Sequence, residues 1–281
     1  MNIKSILRPI RTQAVLAGSL ATLAALSLSA TTAAGAAKAE AEPTRAKPTV
    51  VLVHGAFADA SSWNDVIKRL QHAGYPVIAP ANPLRGLTGD AAYLNSVLDS
   101  VKGPIVLVGH SYGGSVISQA AAGDPDVKAL VYIAAFAPDK GESALELSDK
   151  YPGSTLGPTL NSVPITLADG TAGTDLYIKS GEFRDQFAAD VPTARTDLMA
   201  ATQRPVTSAA LEEKATASAW KTIPSWYLVS TQDKNIPPAA QRFMARRAHA
   251  RTVEVKASHA VSVSRPADVT RLIEEAASSV R

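Results

Sequence analysis

The feature that most restricts the fold is an alternation of short apolar runs with amphipathic segments from residue 48 onward. Thr49 to Val53 is a continuous, mostly β-branched run, which is typical of a strand covered on both faces. The pattern predicts strands at 49–53, 76–79, 104–108, 127–133, 225–230 and 252–256, and helices at 61–73, 91–101, 116–122, 238–248 and 267–280. Because strands that alternate with helices are joined by right-handed crossovers, we expect an α/β fold: a mostly parallel sheet with helices on both faces.

Composition excludes several other classes of protein. The 281 residues are 46% apolar and 19% charged, which is ordinary for a globular chain and unlike a disordered, collagen-like or coiled-coil protein. The chain has no cysteine, which excludes a disulfide framework, a cysteine nucleophile and a thiolate metal site.

Residues 137–218 interrupt the alternation, and we refer to them as the insertion. Prolines and glycines are scattered through this stretch, with strand-like pieces at 165–167 and 176–178 and a helical piece at 183–189. Because the insertion is too long for a connecting loop, we interpret it as a cap over a binding site. An irregular surface excursion is the alternative.

The N-terminus has the pattern of an export signal. Basic residues at positions 4, 8 and 11 precede an uncharged, Ala- and Leu-rich run from Val15 to about Ala30. Ala34-Gly35-Ala36 and Ala37-Lys38-Ala39 both fit a signal-peptidase site. We therefore predict a signal peptide at 1–39, a linker at 40–47, an α/β domain at 48–281, and a secreted or periplasmic protein. A transmembrane anchor is less favoured, because the apolar run is short and contains Ser and Thr.

The charge balance gives no sign of a nucleic-acid partner. Residues 1–39 carry four basic side chains and no acidic one, so their removal changes 28 basic and 25 acidic residues to 24 and 25. The net charge thus falls from +3 to −1. Most of the positive charge belongs to the predicted signal peptide, and no basic patch remains to bind nucleic acid. The sequence gives no indication of oligomeric state.

A nucleophile elbow is predicted at Gly109-His110-Ser111-Tyr112-Gly113. This Gly-x-Ser-x-Gly motif lies between a predicted strand and a predicted helix, as the elbow requires. The turn strains the backbone of Ser111, and its hydroxyl lies near a helix N-terminus, where developing negative charge is stabilised. Ser111 is therefore the candidate nucleophile. A glycine-rich turn with an incidental serine is the alternative.

An oxyanion hole is predicted from two backbone N–H groups. One belongs to Tyr112, the residue after the nucleophile, and the other to Ala56, in the loop that follows the first strand. Gly55 would allow the backbone to approach closely. We expect His54, in the same loop, to be structural.

Asp233 and His259 are the candidate acid and base. Each follows a predicted strand, so both lie at the sheet edge where α/β proteins bind ligands. The chain order Ser, Asp, His is that of α/β-hydrolases. His72 and His249 fall in or beside helices, and His110 lies inside the elbow. Asp139 is the competing acid.

These motifs resemble α/β-hydrolase-fold serine hydrolases over nearly all of residues 48–281. The chain is most similar to the group of plant methyl esterases, hydroxynitrile lyases and bacterial carboxylesterases, through Val-Leu-Val-His-Gly-Ala (51–56), Trp63, Gly-His-Ser-Tyr-Gly-Gly (109–114), Ala-Phe-Ala-Pro-Asp (135–139), Asp233 and Ser-His (258–259). The resemblance implies a lid within the insertion and a structural role for Asp139. The chain departs from the family in lacking the first antiparallel strands.

The expected activity is hydrolysis of small or medium carboxylic esters through an acyl-enzyme, without metal or organic cofactor. The related lyases carry Thr in place of Gly55 and Lys in place of Ala260, so lyase activity is disfavoured. Perhydrolase, haloperoxidase or amidase chemistry on the same triad, and a non-catalytic ligand-binding protein, are the remaining alternatives.

Overall fold

A computed structural model of the chain describes residues 46–280. The predicted signal peptide, and the predicted linker up to residue 45, lie outside the described residues. No helix between residues 46 and 280 is long and apolar enough to cross a membrane.

The framework is a six-stranded parallel sheet. The described strands are β1 (Thr49–Val53), β2 (Val77–Ile78), β3 (Ile105–His110), β4 (Val127–Ile133), β5 (Leu160–Thr166), β6 (Ala172–Ile178), β7 (Val206–Thr207), β8 (Ser225–Ser230) and β9 (Arg251–Val255). The parallel sheet has the order β2-β1-β3-β4-β8-β9, and every neighbouring pair in it runs parallel. The predicted α/β class is therefore confirmed. In the described part of the chain β2 forms the edge of this sheet, with no antiparallel strand beyond it.

Helices cover both faces of the sheet. They are α1 (Asn64–His72), α2 (Leu87–Leu98), α3 (Tyr112–Ala120), α4 (Ala144–Asp149), α5 (Leu156–Thr159), α6 (Ser180–Phe187), α7 (Thr193–Thr202), α8 (Ser208–Glu212), α9 (Pro238–Arg247), α10 (Val261–Ser264) and α11 (Pro266–Ser278), with single 3₁₀ turns at Ala60–Trp63 and Ala219–Lys221. Along β1, Val51 and Val53 pack against one core with α2, α3 and α9, whereas Val50 and Leu52 pack against the other with α1 and α11. Burial on both faces explains why the strand sequences are continuously apolar.

The insertion contains more regular structure than its sequence predicts. It includes α4 to α8 and a separate antiparallel sheet of order β5-β6-β7. The strand-like pieces predicted at 165–167 and 176–178 are the ends of the longer strands β5 and β6. Those predictions were too short because β5 is largely exposed, so its residues carry little of the apolar pattern on which strand prediction depends.

Candidate active site

Ser111 occupies a sharp turn between β3 and α3. Its backbone has φ 54° and ψ −126°, a combination that strains a residue with a side chain by about 1–3 kcal/mol. A Cβ atom at Gly113 would lie 2.5 Å from the carbonyl oxygen of Val53, so only glycine fits at that position. The helix begins at Tyr112 and not at Val116 as predicted, which places Ser111 directly at its N-terminus.

The loop after β1 lies against the nucleophile. A Cβ atom at Gly55 would lie 2.5 Å from Ser111 Cβ and 3.2 Å from Ser111 Oγ. Glycine therefore permits the close approach expected of this loop. Ala56 and Tyr112, the predicted oxyanion donors, both line the cavity that Ser111 also lines. The structure thus brings the three residues to a single cavity.

His54 has a structural environment, as predicted. Its Nε2 atom accepts a hydrogen bond from the Asn82 backbone N–H at 2.9 Å, and its Nδ1 atom is 2.9 Å from the Gly55 carbonyl oxygen. Since Nε2 accepts, Nδ1 carries the proton and donates. Burial lowers the pKa of His54 from its ordinary value, so the ring is held neutral. It fixes the shape of the loop that carries Ala56.

His259 and Asp233 form a buried pair. His259 Nδ1 is 2.7 Å from Asp233 Oδ2, and both side chains are almost fully inaccessible to solvent. Asp233 Oδ1 accepts the backbone N–H groups of Asn235 and Ile236, at 2.7 and 3.0 Å. A carboxylate with this many donors is held in one orientation, and it in turn fixes the orientation of the imidazole.

Gln241 is a further member of this site that the sequence analysis missed. Its Nε2 atom donates to Asp233 Oδ2 at 2.8 Å, and its Oε1 atom accepts the Ser230 backbone N–H at 3.0 Å. The side chain is fully buried on α9 between Ala240 and Met244. The available signal was a glutamine on the buried face of an amphipathic helix, which requires a hydrogen-bonding partner.

His110 connects the elbow to His259. Its Nε2 atom is 2.9 Å from the His259 carbonyl oxygen, and the two imidazole rings lie 4.7 Å apart. Burial and the adjacent His259 hold the pKa of His110 well below its ordinary range, so His110 is neutral. Within residues 46–280, Ser111 Oγ makes no hydrogen bond to His259. Such contacts often shorten only when substrate is bound.

Asp139, the competing acid, lies apart from this pair. Its carboxylate accepts from Ser218 at 2.8 Å and forms an ion pair with Lys221 at 2.6 Å. Burial alone would raise its pKa, but Lys221 and Ser218 hold the pKa of Asp139 below its ordinary value. The exposed side chains of His72 and His249 lie at or just beyond the ends of α1 and α9. None of the three is in hydrogen-bonding contact with His259 in the described part of the chain.

Tyr112 is anchored by a second residue that the sequence analysis missed. Its hydroxyl donates to Asp90 Oδ2 at 2.9 Å, and Asp90 is almost completely buried on α2. Burial raises the pKa of Asp90 from its ordinary value, although the hydrogen bonds from Tyr112 and the Arg85 backbone oppose the shift. Asp90 thus holds the side chain of the residue that supplies one predicted oxyanion donor.

Ser111 lines a mostly apolar cavity of about 800 Å³, counting the space at its open mouth. Leu156, Leu160 and Leu176 of the insertion line it, so the insertion covers the predicted nucleophile. Asp149 and Glu212 are its charged lining residues, and no Lys, Arg or His of the described chain lines it. Both carboxylates belong to exposed residues. The cavity therefore suits an apolar group without negative charge.

A short segment of the insertion, residues 186–190, contacts the loops of both Asp233 and His259. We call it the brace. Gln186 Nε2 donates to Asn235 Oδ1 at 2.7 Å and to the Lys234 carbonyl oxygen at 3.0 Å. The Phe187 ring lies edge-on to the His259 ring at 5.0 Å, and its carbonyl accepts the Ala260 N–H at 3.0 Å. Ser258 also donates to Asp190.

The described residues contain no group of three or more His, Cys, Asp or Glu side chains placed to hold a metal ion.

Comparison with known proteins identifies the family. The model of the Alpha/beta hydrolase family matches residues 50–272 of this chain. A carbendazim hydrolyzing esterase from Nocardioides sp. is 35% identical over 113 residues, which cover 36% of this chain and 47% of that relative. A pyrethroid hydrolase from Sphingobium wenxiniae is 26% identical over 255 residues, which cover 80% of this chain and 86% of that relative.

Solved structures show the same fold. Polyneuridine aldehyde esterase superposes with a TM-score of 0.71 at 20% sequence identity, covering 82% of this chain and 98% of that structure. At this level of identity the likeness concerns the fold alone.

Proposed function

The chain belongs to the alpha/beta hydrolase family, and we propose that it hydrolyses carboxylic esters through an acyl-enzyme formed on Ser111. The observation that carries the proposal is the strained Ser111 in the lining of an apolar cavity, on an elbow whose His110 contacts the buried His259–Asp233 pair. Relatives that are named as an esterase and a hydrolase support the same reaction class.

Each residue has a defined step in the proposed mechanism. Ser111 Oγ attacks the ester carbonyl carbon while His259 Nε2 takes the serine proton. The carbonyl oxygen becomes an oxyanion, which the N–H groups of Ala56 and Tyr112 stabilise. The tetrahedral intermediate then collapses, and His259 gives its proton to the departing alkoxide. Water, deprotonated by His259, releases the acid in the same way. Asp233 keeps the tautomer of His259 and stabilises its charged form.

The cavity supports small or medium uncharged esters as substrates. Its lining is mainly apolar, and its two carboxylates, Asp149 and Glu212, would repel an anionic substrate. One relative is named for carbendazim and the other for pyrethroids, so their names do not agree on a substrate. We therefore infer the substrate class of this chain from its own cavity.

Lyase chemistry has no support from the site. A Thr side chain at position 55 would require the loop to move away from Ser111, since even a Cβ atom there approaches Ser111 Cβ to 2.5 Å. Ala260 is almost fully buried, so a lysine at this position would lose its hydration. Neither position could accept the lyase residue without rearrangement.

Export is a separate part of the proposal. The basic start, the apolar run and the small residues near 34–39 support removal of residues 1–39 and a secreted or periplasmic enzyme.

Replacement of the nucleophile tests the function. We expect Ser111→Ala to fold normally, to lose labelling by a fluorophosphonate, and to hydrolyse p-nitrophenyl butyrate about 10³-fold or more slowly. Ser115 is buried on α3, makes no side-chain hydrogen bond in the described chain and does not line the cavity, so Ser115→Ala is the matched control and should retain labelling and turnover. Mass spectrometry of the labelled peptide identifies the reactive residue. A label on another serine of the wild type, or undiminished turnover by Ser111→Ala, would contradict the proposal.

A further inference from the structure

A second cavity shares Phe57 with the cavity of Ser111. It measures about 590 Å³ with its open mouth, and its lining includes Phe57, Arg195, Leu198, Met199 and Gln203. Neither Ser111 nor Tyr112 lines it. Phe57 also lines the cavity that contains Ser111. The same residue therefore lines both spaces.

Phe57 is held firmly in this position. It directly follows Ala56, its side chain is 3% exposed, and its N–H donates to the Arg204 carbonyl oxygen at 2.9 Å. Its φ of 60° lies in the left-handed region, which an aromatic residue adopts at a cost in backbone energy. Burial of the residue offsets this cost, so Phe57 has a fixed position where the two cavities meet.

We propose that Phe57 is the residue that sets the acyl-chain limit of this enzyme, by separating the cavity of Ser111 from the second cavity. The inference rests on the proposed ester hydrolysis and specifies that the length of the acyl chain, and not the alcohol group, is restricted by Phe57. His259 must protonate the leaving oxygen and does not line the cavity of Ser111, whereas the oxyanion donors do. The acyl group therefore extends into that cavity and towards Phe57.

Removal of the ring should join the two spaces. In the wild type, kcat/KM should rise with acyl length while each added methylene group is buried, by about fourfold per group, and should fall once the chain reaches Phe57. In Phe57→Ala the rise should continue for at least two further carbon atoms. The measurement is kcat/KM for p-nitrophenyl esters from acetate to dodecanoate.

Three further variants test whether the acyl-length limit depends on Phe57 itself or changes whenever the packing around the second cavity is loosened. Met199 lies on the wall of the second cavity only, so Met199→Ala enlarges that cavity and should leave the acyl-length limit unchanged. In the double variant Phe57→Ala, Met199→Trp the added space is filled again, and the limit should return to that of the wild type. If Phe57→Ala does not fold, Phe57→Leu should show a smaller shift in the same direction.

The outcomes distinguish this inference from the proposed function. Wild-type hydrolysis of the acetate ester that depends on Ser111, together with the same acyl-length limit in folded Phe57→Ala or Phe57→Leu, would overturn this inference alone. A shift of the limit in Met199→Ala equal to that in the Phe57 variants would also overturn it. Ester hydrolysis that does not depend on Ser111 would instead overturn the proposed function.

Discussion

The Asp233 carboxylate is surrounded by four hydrogen-bond donors. Besides His259, it accepts from Gln241 and from two backbone N–H groups. Replacement by asparagine keeps the shape of the side chain but presents either an NH₂ group or a less basic oxygen to His259. We expect Asp233→Asn to lower kcat by about 10³–10⁴-fold through the wrong imidazole tautomer. Steady-state kinetics with p-nitrophenyl butyrate measures this loss.

Asp139→Asn is the matched control for this prediction. Its carboxylate is paired with Lys221 in a half-exposed position, and such pairs contribute about 0–1 kcal/mol. We expect a slightly lower Tm and turnover within about twofold of the wild type, since Asp139 makes no contact with His259. A severe loss in Asp139→Asn with full activity in Asp233→Asn would reverse the assignment of the acid.

Local sequence was informative where a residue's chemistry depends on its chain neighbours. Ser111 could be proposed as the nucleophile because the elbow needs glycine at positions 109 and 113, and Ala56 could be proposed as an oxyanion donor because it follows a strand and a glycine. Gln241 and Asp90 could not be found in this way. Their roles depend on contacts with Asp233 and Tyr112, which are distant in sequence and which only the folded chain brings together.

Among the elements, the brace links the insertion to the acid and base loops. Gln186 is the most buried polar residue of the brace. Its Nε2 group donates to Asn235 and Lys234, and its Oε1 atom accepts from the Thr155 hydroxyl at 2.8 Å. Asn235 in turn donates its backbone N–H to Asp233. We expect Gln186→Ala to lower kcat about tenfold with little change in KM. The loop that holds Asp233 would be less well positioned, which would raise the activation free energy by about 1.4 kcal/mol.

Gln203 offers a control of the same residue type. It makes three hydrogen bonds to backbone groups of Ile178 and Ala200 within the insertion, and within the described chain it makes no hydrogen bond to the loops of Asp233 and His259. Gln203→Ala should therefore lose a similar free energy of unfolding, about 1–3 kcal/mol, and keep its kcat. Equal losses of kcat in the two variants would show that the brace stabilises the fold without positioning the acid and base.

Elements of the parallel sheet were predictable, whereas those of the insertion were only partly so. The bounds of β1, β4 and β8 agree with the sequence prediction, because strands covered on both faces are apolar at nearly every position. The predicted helix at 116–122 began too late, since Gly113 and Gly114 have low helix propensity and are kept helical by tertiary contacts. In the insertion, the helices and strands are short and partly exposed, so their apolar residues form too weak a periodic pattern to predict them from sequence.

At the scale of the whole molecule, every residue of the proposed site lies beyond position 53, so the N-terminal segment should be dispensable for catalysis. We expect a chain of residues 40–281 to be as active as the full chain and to have the same Tm. When the full gene is expressed with export, the recovered protein should begin after residue 36 or 39, as intact mass measures. A membrane-bound product that retains Lys4 and Arg8 would contradict the proposed export.

The brace also has a consequence for the timing of turnover. Because residues 186–190 are hydrogen-bonded to the loops that carry Asp233 and His259, the insertion could swing open as one body only by breaking the contacts of Gln186 with Asn235 and of Phe187 with Ala260. We therefore expect substrate and product to pass through local side-chain and loop fluctuations, which occur in nanoseconds to microseconds, and not through a hinge motion of milliseconds. The proposed esterase would then be ready for its next substrate as soon as the last product leaves.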